Sequence, residues 1–273
     1  MSWIWCDGDY LDGPLAISPV DRGLCHGLGL FETLLAVDGR PRALELHLAR
    51  MRDGARRLRW DESWMSEETV GGAIRGLLER RQLDAGRARV RVAVSAGSGD
   101  LRSLEQGADA RRWITADVAP PPPESMTLVT APFPRDSASP LAGLKCASYA
   151  LSLLALDHAR RAGADEALML DHRGRLCEAA TANVFVVEGG RVLTPPLTAG
   201  CLPGTMRARV LAKCRELGME AAEVDLTADQ ALAAGEMFLT SATRGVVPVA
   251  ALDGCLLERR PGTVTARLRE ALA

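Results

Sequence analysis

The sequence has few of the features that mark nucleic-acid-binding, membrane or secreted proteins. It contains no long run of one charge sign, and its formal net charge is -2, so nothing in it indicates a nucleic acid or an anionic membrane as a partner. No apolar run reaches the length of a membrane span, and no basic segment precedes an apolar core at the start, so a cytoplasmic protein with small-molecule partners is expected. The seven cysteines form no Cys-x-x-Cys pair and the four histidines are dispersed, which predicts reduced thiols and no metal site.

Lysine is scarce in this chain. Only two of the 33 basic residues are lysines. Lys213 lies among charged neighbours and is predicted to face solvent, whereas Lys145 lies in a segment without any other charge, residues 139–149 (SPLAGLKCASY). Poor solvation lowers the pKa of an ammonium group, and the free amine can attack a carbonyl and hold it as a Schiff base. A lysine in a Pro- and Gly-containing loop is equally compatible with a solvated surface group, and this segment alone leaves both interpretations open.

The chain is long enough for two domains of ordinary size. Four consecutive prolines at residues 120–123 form its stiffest segment and separate two predicted strands. We therefore place a boundary there, which gives domains at residues 1–120 and 121–273.

Hydrophobic periodicity predicts both strands and helices in each domain. Strands are predicted at residues 30–37, 88–96, 113–118, 127–130, 166–170, 175–177, 183–187 and 191–194. Helices are predicted at residues 44–58, 66–83, 149–161 and from Pro203 to Gly218. This mixture indicates an α+β fold.

Six segments, in this order, resemble the class IV aminotransferase family, which comprises the fold type IV enzymes that use pyridoxal 5'-phosphate (PLP). They are residues 21–33 (DRGLCHGLGLFET), 47–51 (HLARM), 139–149, 178–185 (EAATANVF), 202–207 (LPGTMR) and 236–241 (EMFLTS). The resemblance implies an α+β, two-domain fold of the D-amino acid aminotransferase-like type, with a barrel-like second domain that carries the Schiff-base lysine. It also implies a homodimer and PLP as the cofactor.

The resemblance assigns roles to individual residues. Lys145 matches the Schiff-base lysine, and Glu178 matches the carboxylate that faces the pyridine nitrogen and keeps it protonated. Tyr149 matches a tyrosine that can contact the cofactor. The residues matched to phosphate binding are Arg50, Gly204, Thr205, Ser241 and Ala242, of which Gly204 and Thr205 lie at a predicted helix N-terminus, where backbone N–H groups favour an anion.

The reaction differs among members of this family, so the fold does not name the substrate. Leu141 to Lys145 (LAGLK) resembles the aminodeoxychorismate lyases, which convert 4-amino-4-deoxychorismate to 4-aminobenzoate and pyruvate in folate biosynthesis. The alternative is an aminotransferase that acts on branched-chain or D-amino acids. Ala96 stands where these lyases commonly have arginine, and Arg102 is a candidate to replace it as the anchor of the substrate carboxylate.

Two further interpretations come from other classes. A degenerate homologue that only carries the cofactor or a partner is disfavoured because Lys145, Glu178 and the helix-start segment all persist. A Schiff-base aldolase without PLP would give no reason for a phosphate cradle. No acid–base role is assigned to His26 or Glu32, and His26 is interpreted as a structural residue in a buried strand-turn.

Overall fold

The computed structural model of the protein describes residues 3–258 and 261–273. The chain divides into two compact units. The first comprises residues up to Pro121 together with Leu144–Tyr149, and the second comprises Pro122–Gly143 and Ala150–Ala273. The division predicted at residue 120 assigns Lys145 to the second domain, whereas the segment that holds Lys145 groups with the first unit, because its backbone pairs with a strand of that unit.

From residue 3 onward, where the structure describes it, the first unit contains six strands and three helices. The strands are β1 (Trp3–Cys6), β2 (Asp9–Asp12), β3 (Gly29–Val37), β4 (Arg40–Pro41), β5 (Arg87–Ser95) and β6 (Arg112–Val118). The helices are α1 (Arg22–His26), α2 (Leu44–Leu58) and α3 (Glu67–Arg81). The strands form one sheet in the order β2-β1-β6-β5-β3-β4, in which all neighbours are antiparallel.

Local sequence explains the two long helices of this unit. The apolar residues of α2 recur at helical spacing, and all of those that predicted the helix are buried: Leu44, Leu48, Met51, Ala55 and Leu58. Helix α3 begins after Ser66, whose side chain accepts a hydrogen bond from the Thr69 N–H as an N-cap. It ends at Arg81, two residues before the predicted end, because Gln82 has a positive φ of 56°.

Within the described residues, the second unit contains nine strands and four α-helices. The strands are β7 (Met126–Thr130), β8 (Glu166–Leu170), β9 (Leu176–Ala179), β10 (Asn183–Glu188), β11 (Arg191–Thr194), β12 (Ala221–Glu223), β13 (Glu236–Ser241), β14 (Gly245–Leu252) and β15 (Cys255–Leu256). The helices are α4 (Ala150–Arg161), α5 (Thr205–Glu216), α6 (Ala228–Ala234) and α7 (Thr263–Ala271), with a 3-10 turn at Leu197–Ala199.

The strands of the second unit form one mixed sheet whose central strands are buried on both faces. The order is β12-β11-β10-β13-β14-β7-β8-β9, and β15 pairs with β14. Successive residues of β10 and β13 enter different core clusters: Val184 and Leu239 belong to one, and Phe185 and Phe238 to the other. The phenyl rings of Phe185 and Phe238 stack at 4.8 Å between centroids. This mixture of helix and sheet confirms the predicted α+β class.

In the described ranges, no helix combines the length and the apolar character that crossing a membrane requires.

Candidate active site

The segment around Lys145 is held by strand β3. Cys146 forms a β-bridge with Leu30, and the Phe31 N–H donates to the Lys145 carbonyl at 3.1 Å. The Ala147 N–H donates to the Gly29 carbonyl at 2.8 Å. Lys145 is half-buried, so its backbone is fixed and its side chain is partly shielded, unlike that of a lysine in a solvated loop.

The Lys145 amine lies against two aromatic rings. Its Nζ is 4.5 Å from the centroid of the Phe31 ring and 6.0 Å from that of Tyr149. The two rings meet edge to face, with centroids 5.6 Å apart. The guanidinium carbon of Arg91 lies 3.8 Å from the Phe31 centroid. Phe31 therefore contacts two basic side chains, and the Arg91 guanidinium places a permanent positive charge near the lysine.

Arg50 is oriented by a buried carboxylate of the same unit. Glu32 accepts from Arg50 Nε at 2.8 Å and from Nη2 at 2.6 Å, and His47 Nδ1 lies 2.6 Å from Glu32 Oε2. Burial alone would raise the pKa of Glu32, but the Arg50 charge and the hydrogen bonds from Arg50 and His47 outweigh burial and lower the pKa to about 2. Glu32 is thus ionised, and it fixes the plane of the Arg50 guanidinium.

Glu178 is held in a defined position within the second unit. It is buried near the end of β9. Its Oε1 lies 3.2 Å from Arg135 Nε, and its Oε2 accepts from the Leu202 N–H at 2.9 Å. A cation and a backbone amide both stabilise the ionised carboxylate. Glu178 is therefore not an exposed residue at the end of a hairpin strand.

The N-terminus of α5 is closely packed against Asn183. Gly204 is the N-cap residue, and a Cβ placed there would lie 1.9 Å from Asn183 Oδ1. The Asn183 amide donates to the Leu202 carbonyl at 2.9 Å, so glycine is required at position 204. With no side chain at the cap, the first amides of the helix and its dipole can face an anion.

A second feature of this part of the unit is the hydroxyl of Thr240. Thr240 is buried, and its Oγ1 has no hydrogen-bond partner among the described residues. It pairs in register with Asn183, on the strand that ends at Ser241. A glycine cap that a Cβ would overfill and a buried hydroxyl without a partner fit a phosphate-bearing ligand in this part of the second unit.

The predicted site residues are distributed over both units. Lys145, Tyr149 and Arg50 belong to the first unit, and the structure brings Lys145 and Tyr149 together. The second unit holds the other predicted cofactor residues, which are Glu178, Gly204, Thr205, Ser241 and Ala242.

Two residues differ from their expected surroundings. Arg102 pairs with Asp100 at 2.9 Å and its side chain is 90% exposed, so its role as a carboxylate anchor stays a prediction that this conformation does not favour. His26 is exposed at the C-terminal end of α1, whereas a buried position was expected. A helix of five residues ends there, and its last turn faces outward.

Sequence patterns did not identify Phe31, Arg91 or Arg135. Arg91 alternates with the buried Val90 and Val92 on β5, which is the pattern of a solvent-facing charge. Arg135 follows Pro134 in a loop and carries no periodic signal. Only the pairing of β3 with β5 reveals that Arg91 faces Phe31.

The chain is similar to a known protein family and to several solved structures of nearly the same length. The family model "Amino-transferase class IV" matches residues 29–252. The chain is 32% identical to the "Putative branched-chain-amino-acid aminotransferase" of Methanocaldococcus jannaschii, over 98% of this chain and 94% of that protein. The structure of branched-chain amino acid aminotransferase from Escherichia coli has a TM-score of 0.87 at 26% identity, over 99% and 92% of the two chains. A "Putative 4-amino-4-deoxychorismate lyase" from Legionella pneumophila has a TM-score of 0.87 at 25% identity, over 94% of both chains.

Proposed function

The chain belongs to the class IV aminotransferase family, a family of PLP-dependent enzymes, and we propose that it is a lyase converting 4-amino-4-deoxychorismate to 4-aminobenzoate and pyruvate. Two observations support this proposal. The segment that ends at Lys145 resembles the lyases, and one solved neighbour of nearly equal extent carries a lyase assignment.

The observation that carries the proposal is the position of the Arg91 guanidinium and the Lys145 amine on the Phe31 ring. Arg91 and Lys145 both contact this ring, so the amine lies beside a permanent positive charge and an aromatic face. The lyase substrate is a cyclic dicarboxylate whose product is aromatic. A guanidinium can pair with one of its carboxylates. Arg91 is therefore a second candidate, beside Arg102, for the carboxylate anchor.

The roles of the cofactor residues follow the same proposal. Lys145 would hold the cofactor aldehyde through Nζ, and its free amine would remove the proton from ring carbon C4 of the substrate. When bound, PLP supplies an electron sink for the electron pair that the departing proton leaves on the substrate. Glu178, fixed by Arg135 and Leu202, keeps the pyridine nitrogen protonated.

The remaining roles concern the phosphate and the cofactor ring. Arg50, Gly204, Thr205, Ser241 and Ala242 bind the phosphate, and Tyr149 contacts the cofactor. The side chains that can donate to the phosphate are a guanidinium and hydroxyls, while the glycine and alanine positions can contribute backbone N–H groups.

An aminotransferase acting on branched-chain amino acids is the second candidate. The M. jannaschii relative and several bacterial relatives carry that name, and glutamate as amino donor could use the same guanidinium of Arg91. The two reactions diverge after proton removal. In the lyase the enolpyruvyl group leaves as pyruvate, and the substrate amino group stays on the aromatic product. In the aminotransferase the substrate leaves as a 2-oxo acid, and its amino group is retained by the enzyme.

Product analysis separates the two reactions. The PLP-loaded protein is incubated with 4-amino-4-deoxychorismate and, separately, with L-leucine, L-glutamate or D-alanine plus a 2-oxo acid. Equal release of 4-aminobenzoate and pyruvate supports the lyase. Formation of a new amino acid without 4-aminobenzoate would contradict it and support the aminotransferase. The matched controls are Lys145→Ala, which should lose either activity, and Lys213→Ala, which changes the only other lysine, one that is paired with Glu216 on the surface.

We also propose that the protein acts as a homodimer. The support is an apolar surface on α4, where Leu151, Leu153 and Leu154 are 37%, 58% and 60% exposed. Light scattering coupled to size-exclusion chromatography tests this proposal, and a monomer at micromolar concentration would contradict it. The cytoplasmic location and the domain boundary at residue 120 stay predictions.

A further inference from the structure

Arg244 contacts three polar side chains of the second unit and, through Nη1, the sulfur of Met126 at 3.5 Å. It lies in the turn between β13 and β14. Its Nη2 donates to Thr181 Oγ1 at 2.7 Å and lies 3.4 Å from Glu166 Oε2, while its Nε donates to Ser241 Oγ at 3.2 Å. The Thr181 hydroxyl in turn donates to Glu166 Oε2.

The anchor of this group is a carboxylate that water does not reach. Glu166 is 0% exposed at the start of β8. Its Oε1 accepts from the Ala167 N–H at 3.2 Å, and its Oε2 contacts Thr181 and Arg244. Burial of a carboxylate is costly unless cations and hydrogen-bond donors contact it. Arg244 is thus fixed by contacts with residues that are distant from it in the sequence. An exposed arginine that pairs with a neighbour on its own helix has no such contacts.

The hydrogen bond to Ser241 has a directional consequence. A serine hydroxyl carries one proton and two lone pairs. Because Ser241 Oγ accepts from Arg244 Nε, its own proton is directed elsewhere and can be donated to an anion. Accepting a hydrogen bond from a cation also strengthens the donor capacity of the hydroxyl.

We propose that Arg244 is a positioning residue for the phosphate of the cofactor. Anchored on Glu166 and Thr181, it fixes the turn that contains Ser241 and Ala242 and orients the Ser241 hydroxyl to donate. This inference rests on the proposed function, in which Ser241 and Ala242 bind that phosphate. A turn fixed before binding loses less conformational freedom when the ligand arrives, which raises affinity.

Two aldehydes that differ only in the phosphate test this role. Dissociation constants of the cofactor-free protein are measured for PLP and for pyridoxal by their absorption changes. Arg244→Met is expected to weaken PLP binding about tenfold, the effect of losing one hydrogen bond that involves a charged group, and to leave pyridoxal binding unchanged. The matched control is Arg160→Met, at a surface arginine of α4 that pairs with Asp157, and it should behave as the wild type with both aldehydes.

A second variant separates positioning from folding. Arg244→Met leaves Glu166 buried without its cation, so the protein could lose stability for that reason alone. The double variant Arg244→Met/Glu166→Gln removes the uncompensated charge. It should recover most of the thermal midpoint and keep the weakened binding of PLP.

The outcomes distinguish the two levels of the proposal. If the wild type binds PLP no more tightly than pyridoxal, the phosphate site itself is refuted, and the proposed function with it. If the wild type prefers PLP and both Arg244 variants keep the same preference, only the role of Arg244 is refuted. Equal weakening of both aldehydes would also overturn it, because a general structural defect does not depend on the phosphate.

Discussion

Substitution of Gly204 by alanine should destabilise the second unit through a steric clash that the structure defines. The new Cβ would lie 1.9 Å from Asn183 Oδ1 and 3.3 Å from Arg207 Cβ. Relieving such overpacking costs about 1–3 kcal/mol. Moving Asn183 would also break its hydrogen bond to the Leu202 carbonyl, which adds about 1 kcal/mol. The total of about 2–4 kcal/mol corresponds to a fall in the thermal midpoint of roughly 4 to 7 °C for a protein of 273 residues.

Differential scanning calorimetry measures this shift, and two comparisons isolate its cause. Asn183→Ala/Gly204→Ala removes the atom that clashes, so the double variant should be more stable than the sum of the single effects predicts. Gly72→Ala, inside α3, adds a Cβ that meets no atom within 4 Å among the described residues, and it should raise stability by about 0.5–1 kcal/mol. A Gly204→Ala protein that melts at the wild-type temperature would refute the close packing at the start of α5.

Three further substitutions test the electrostatics. The pKa of Glu32 is lowered in the folded state to about 2, so its ionisation stabilises the fold above its unfolded pKa, and this contribution is lost as the pH falls toward 2. The free energy of unfolding of Glu32→Gln, measured in urea, should lack that pH dependence. Parallel plots of unfolding free energy against pH for the two proteins would contradict this expectation. Arg91→Met should raise KM for 4-amino-4-deoxychorismate about tenfold in steady-state kinetics. Arg89→Met, at another exposed position of β5, should leave KM unchanged. Equal effects of the two substitutions on KM would count against Arg91 as the anchor of the substrate carboxylate. Arg135→Met should lower kcat with little change in KM because Glu178 loses its cation, and an unchanged kcat would argue that the Leu202 amide alone suffices.

Much of the fold could be predicted where local sequence decides the structure. The Ser66 cap and the spacing of Leu44, Leu48 and Met51 act within one or two turns, so α2 and α3 follow from short segments. Strand β13 could not be found in the same way. Its neighbouring residues Phe238 and Leu239 are both almost fully buried, on opposite faces of the sheet, so the strand shows no polar alternation.

The candidate site was accessible to sequence analysis only in part. Lys145 stood out because it is a rare amine in an uncharged segment, while the role of Glu178 came from family resemblance. Arg91, Arg135 and Arg244 look like ordinary charged residues in the sequence. Their contacts depend on strand pairing and on turns that bring distant segments together, and no local pattern encodes that.

The most direct test of the account is to identify the residue that binds the cofactor. The protein is loaded with PLP, reduced with borohydride, digested and analysed by peptide mass spectrometry. We expect the phosphopyridoxyl group on the peptide that contains Lys145, and its disappearance in Lys145→Ala but not in Lys213→Ala. A label on Lys213, or an unchanged cofactor absorption band in Lys145→Ala, would contradict the central claim.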